Sequence, residues 1–135
     1  MNRITIGTAK LHITTVNTTL TLSLKWNIHE KQIWTPENAV TLVRKRDRNC
    51  VYCKKKMSPP SPATWPGDWS TIEHLNYLPP WDNPETIAIC CGSCNSSRGN
   101  KPLLKWFQSN YCLEHKVSLS TVAKAVRDYI ERMRK

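Results

Sequence analysis

Acidic side chains are scarce in this chain: Asp and Glu number 10 against 20 Lys and Arg, which leaves a formal charge of +10 and a pI of about 9.6. An imbalance of that size favours a polyanionic partner, nucleic acid first; an anionic membrane surface or a need for solubility would also account for it. No apolar run approaches the roughly 18 to 20 residues a helix needs to cross a bilayer. The N-terminus lacks the charged-then-apolar order of an export signal, so a cytoplasmic location and no membrane partner are expected. Internal repeats are absent, and so are low-complexity tracts apart from one proline-rich loop. In a chain without an export signal, six cysteines arranged partly as Cys-x-x-Cys pairs read better as metal ligands than as disulfides.

What is present fits one domain of 135 residues. Residues 1–34 form an N-terminal β segment, because Ile4, Ile6, Leu11, Ile13, Leu20, Leu22 and Leu24 alternate with hydroxyl-bearing or polar positions, with a turn near Val16 to Thr19. Thr35 and Pro36 mark a helix start, as N-cap and first helical residue. Ala39, Leu42 and Val43 supply its apolar stripe and Arg44 to Arg48 its basic end, just before Cys50. Ser58 to Asp68 carries four prolines and a glycine and must be a loop. Ser70 to Leu75 is strand-like, and Leu78 to Pro84 is a turn-rich connection. A short helix follows Cys94 and breaks at Gly99. Further helices are expected over Pro102 to Cys112 and from Ser118 or Ser120 to Arg134, the last with Val122, Ala125, Val126, Tyr129, Ile130 and Met133 at helical spacing.

Cys50 and Cys53 form one Cys-x-x-Cys pair and Cys91 and Cys94 another, with 37 residues between them. Two residues between thiolates let a knuckle turn aim both sulfurs at one ion, and two knuckles complete a tetrahedral four-sulfur site for structural zinc. Cys90 could replace Cys91, but the two-residue spacer favours Cys91. Cys90 and Cys112 are then ordinary thiols. Between the knuckles lies Thr71-Ile72-Glu73-His74, and after the second comes Asn95-Ser96-Ser97-Arg98-Gly99-Asn100-Lys101.

Over residues 44–107 this order resembles the HNH endonuclease family, in which an acid–His pair on a strand precedes a Cys-x-x-Cys-Asn segment leading into a short helix. The resemblance implies a zinc-bound ββα-metal (His-Me finger) core; with the N-terminal β segment over 1–34 and the helical segment over 108–135 that the patterning gives, the expected fold is α+β with its nuclease core over 35–107. The same resemblance implies His74 as general base, with Glu73 and Asn95 holding a catalytic divalent ion. The side-chain chemistry agrees, since a neutral imidazole can deprotonate water near pH 7 and hard oxygen ligands suit Mg²⁺ or Mn²⁺.

The family's middle Asn, which orients the base, is replaced by Thr86, whose hydroxyl cannot reproduce an amide's hydrogen bonds, with Asn83 or Asn76 as possible stand-ins. Arg98 and Lys101 are expected to bind flanking phosphates. Trp65, Trp69 and Trp81 are read as packing residues ahead of base-stacking ones. The expected activity is endonucleolytic cleavage of DNA, nicking or double-strand, with RNA and a homodimer left open. The rivals are a catalytically impaired zinc module that binds nucleic acid, and a partner-recruiting domain of a defence or mobile-element system.

Overall fold

The computed structural model describes residues 9–16, 19–26, 36–78 and 83–135. By backbone contacts the chain divides into two compact units, Met1–Ile33 and Trp34–Lys135. In the first, β1 (Ala9–Val16) and β2 (Thr19–Trp26) pair antiparallel, with Leu11 opposite Leu24, Ile13 opposite Leu22 and Val16 opposite Thr19. The alternation in the sequence foretells that register, because residues two apart share a face. Ile4, Ile6 and the expected cap Thr35 lie outside the described residues.

The second unit mixes helices with one small antiparallel sheet. Helix α1 (Pro36–Arg46) opens on a proline whose fixed φ suits the first turn. Its buried residues are Ala39 and Val43, one turn apart, while Leu42 is exposed, so the apolar stripe is narrower than the sequence suggests. The helix also ends earlier than expected. Arg46 forms a two-point ion pair with Asp47 at 2.7 and 2.8 Å and donates to the Ile87 carbonyl. Asp47 in turn accepts from the Ile89 amide at 3.0 Å, so the chain past Arg46 is claimed by the neighbouring strand.

That strand is β4 (Ile87–Cys91), paired with β3 (Ser70–His74). All five of its residues are buried, because both faces of the hairpin are covered. Ile87 and Ile89 pack with Ala39 and Val43 of α1. Ala88 and Cys90, on the opposite face, join the larger core around Tyr52, Trp106 and Val126, where the Tyr52 and Trp106 rings meet edge to face at 4.8 Å.

Helix α2 (Gly92–Arg98) follows β4 without a connecting loop. The single helix expected over Pro102 to Cys112 is two, α3 (Leu103–Trp106) and α4 (Asn110–Glu114). Ser109 breaks it, since its side chain caps α4 by accepting from the Cys112 amide. Helix α5 (Lys124–Met133) starts later than Ser118 or Ser120. The Thr121 hydroxyl closes a turn there, accepting from the Ser118 amide and donating to the Ser118 carbonyl, and the Ala123 amide is tied to the Val51 carbonyl at 2.7 Å. No helix among the described residues is long and apolar enough to cross a membrane.

Candidate functional site

The four cysteines of the two knuckles converge: the sulfurs of Cys50, Cys53, Cys91 and Cys94 all lie within 4.8 Å of one another. The first knuckle closes when the Cys50 carbonyl accepts from the Lys54 amide and the Cys50 amide donates to the Lys55 carbonyl. Lys54 takes a left-handed φ of 65° to make this turn. The second knuckle is the β4–α2 junction itself. Cys90 stays out of the cluster because successive strand residues face opposite ways, and its sulfur lies 3.7 Å from the Thr71 hydroxyl instead.

The four thiols shift one another's pKa values in opposite directions. Hydrogen bonding with Cys50 holds the Cys53 and Cys91 thiols below the ordinary range, while contact with Cys53 raises Cys50 and contact with Cys50 raises Cys94. Such a donor set, soft and crowded, could hold a metal ion such as zinc. The Tyr111 hydroxyl, 3.4 Å from the Cys94 sulfur, would support one ligand from outside.

From Cys94 the chain continues directly to Asn95 on α2. The Asn95 amide nitrogen donates to the Thr71 hydroxyl at 2.9 Å and to the Ile72 carbonyl at 3.2 Å. A carbonyl only accepts, so nitrogen faces β3 and the amide oxygen points elsewhere, with no hydrogen bond to it among the described residues. His74 ends β3 opposite Ile87 and is half-buried; burial lowers its pKa from 6.5.

Glu73 is arranged differently from the sequence expectation. Its carboxylate is 1% exposed, on the face of β3 opposite His74, and accepts from Arg98 Nη1 at 2.5 Å and from the Cys90 thiol at 3.9 Å. Burial raises its pKa, with the Arg98 charge opposing. A hard cation keeps several waters and needs an accessible carboxylate oxygen. Glu73 does not offer one, so the expected pairing of Glu73 with Asn95 around a divalent ion does not fit the carboxylate as it stands.

Arg98 departs from expectation too. In place of reaching phosphates it is 2% exposed, and its guanidinium serves the interior. Besides Glu73 it donates to the carbonyls of His74 and Leu75, both at 2.9 Å, and through Nε to that of Lys101 at 3.1 Å. The ring of Tyr77 lies 4.6 Å from the guanidinium carbon. Tyr77 holds a φ of 56°, a conformation that costs a non-glycine residue roughly 1–2 kcal/mol. The buried Tyr52 hydroxyl lies near the same carboxylate, and burial first, then the Glu73 charge, raises its pKa.

Lys101 remains exposed, its ammonium turned onto the Ser97 carbonyl at 2.9 Å, the last turn of α2. Thr86 donates its hydroxyl to the Asn83 carbonyl at 3.2 Å, and its own carbonyl accepts from Leu75. Asn83 and Asn76 use their side-chain oxygens on local turns, toward Glu85 and Leu78. Trp69 is half-buried with its indole N–H on Thr64, Trp65 is 71% exposed, and Trp81 lies outside the described residues. Sequence reasoning missed the Glu73–Arg98 pair. A carboxylate and a guanidinium 25 positions apart carry no local signal. No family model matches the chain, and comparison with curated proteins and with solved structures finds no match.

Proposed function

We propose that the chain is a zinc-stabilised nuclease of the HNH, or ββα-metal, class that hydrolyses phosphodiester bonds in DNA. One observation carries this reading: the four-cysteine cluster, Asn95 directly after its last cysteine, and His74 at the end of the strand that Asn95 braces form one continuous unit. Zinc held by Cys50, Cys53, Cys91 and Cys94 would have a closed shell. Its part is to fix α2 against the β3–β4 hairpin, the rigid support a reacting group needs.

His74 is the general base. Because burial lowers its pKa, the imidazole is neutral near pH 7 and takes the proton of the water that attacks phosphorus. A divalent cation, Mg²⁺ or Mn²⁺, would neutralise charge on the scissile phosphate, and Asn95 is the residue whose oxygen is available to one. Lys101 and the +10 charge attract the nucleic-acid backbone without reading its sequence.

The buried Glu73–Arg98 pair and the Thr86 hydroxyl, spent on the Asn83 carbonyl of its own loop, favour a second reading, a zinc module that binds nucleic acid without cutting it. Nicking of supercoiled plasmid with Mg²⁺ or Mn²⁺ separates the two. Wild type should nick and His74→Ala should lose about 10²- to 10⁴-fold, the usual share of a general base. Undiminished cleavage by the variant would remove His74 from the mechanism. Plasmid retardation with no nicking by either protein would favour the binding module.

A further inference from the structure

We infer that Glu73 is not a ligand of a divalent ion but the anchor of a buried guanidinium clamp through which Arg98 positions His74. The inference rests on the reading of His74 as general base and names the device that holds it.

Glu73 and His74 are neighbours on β3 and so project to opposite faces. Here the carboxylate is buried and taken up by Arg98, so it does not turn to the side of the strand that carries the imidazole. Glu73 acts on His74 indirectly. Its Oε1 fixes Arg98 Nη1 at 2.5 Å, and the same Nη1 then binds the His74 carbonyl at 2.9 Å. Nη2 binds the next carbonyl, Leu75, at 2.9 Å, and the Leu75 amide is held from the other side by the Thr86 carbonyl at 2.8 Å.

The peptide planes on the C-terminal side of His74 are thus pinned by a planar fork, with the Tyr77 ring against it. A lysine, with a compact ammonium on a flexible stem, cannot reproduce that fixed set of directions. The amide that orients the base in the resembling family is missing, and Thr86, Asn83 and Asn76 all turn their side chains to their own loops. Backbone anchoring by Arg98 fixes the main chain that carries the His74 ring. Glu73 and Arg98 are positioning residues in this scheme.

The test uses the full, zinc-loaded chain as wild type, Glu73→Gln and Arg98→Lys. Glu73→Gln keeps the volume and an acceptor for Arg98, so it serves even if Arg98→Lys fails to fold. Mn²⁺ binding, read by electron paramagnetic resonance, should stay within about twofold of wild type in Glu73→Gln. The His74 ring signals in NMR should shift and broaden, and the single-turnover nicking rate should fall about 10- to 100-fold with the half-saturating Mn²⁺ concentration unchanged. Mn²⁺ binding weakened tenfold in Glu73→Gln would make the carboxylate a ligand and overturn the inference. His74 signals identical to wild type in Glu73→Gln would overturn it as well. A wild type that never nicks, while its His74 signals still move in the variants, would remove the nuclease reading and leave the clamp standing.

Discussion

β1–β2 and β3–β4 are both antiparallel pairs, yet their residues obey different patterns. In β1–β2 the register sets Leu11 with Leu24, Ile13 with Leu22 and Thr15 with Leu20 on one face, and Lys10 with Lys25, His12 with Ser23 and Thr14 with Thr21 on the other. In β4 the run Ile-Ala-Ile-Cys-Cys shows no alternation and is buried throughout, between α1 on one side and the larger core on the other. A strand covered on both faces, such as β4, therefore needs no period-two pattern, and alternation is one sign of a strand among several. The second hairpin is specified from outside: by the cysteine cluster at one end, the Asp47 side chain along its edge and the Arg98 fork at the other end.

That contrast can be broken most severely at the metal. With zinc bound as proposed, its contribution is on the order of 10 kcal/mol, comparable to the whole stability of a small domain. Strong chelation, or Cys94→Ser, should therefore unfold the 34–135 unit. Amide exchange protection over Ile87–Cys91 should vanish while that over Leu11–Thr15 is unchanged. Native mass spectrometry should find one zinc in the wild type. A metal-free chain with β4 still protected would show that packing alone holds the second hairpin.

The sequence makes plain what is local. Cys-x-x-Cys spacing names the four converging sulfurs and separates Cys91 from Cys90, and alternation finds β1–β2. Helix ends are less legible because distant partners set them: α1 stops where Asp47 meets the Ile89 amide, and α5 starts where the Ala123 amide meets Val51. Among the candidate site residues, Asn95 braces β3 and His74 ends it, positions that follow from chain order. The burial of Glu73 and Arg98 does not follow from it. Each charged side chain alone reads as a surface group, and only a buried pair with its hydrogen bonds satisfied makes the interior tolerable.

A smaller perturbation acts on the second hairpin at one atom. Gly92, between β4 and α2, sits so close to the proline-rich loop that an added Cβ would lie 2.2 Å from the Pro66 carbonyl oxygen. Backbone cannot swing aside as a side-chain tip can. Gly92→Ala should cost about 1–3 kcal/mol, the range for forced overpacking, seen as a lower urea midpoint at unchanged slope. A midpoint equal to wild type would mean that the loop yields freely and does not help position α2.

The smallest effect belongs to His74, and its sign follows from burial. Its folded pKa lies below the unfolded value of 6.5, so between the two the unfolded chain binds more protons. Stability attributable to His74 is thus complete above pH 6.5 and declines as pH falls through that window toward the folded pKa. Acidification also protonates the cysteines, which would mask so small a slope in wild type alone. Comparison with His74→Asn, which cannot titrate there, isolates it: the difference in urea midpoint should shrink as pH falls below 6.5. In the same window wild-type nicking should persist, with its acid limb below 6.5, because the imidazole remains a free base. A limb at or above 6.5 would mean that the imidazole is not shielded as its place at the end of β3 implies.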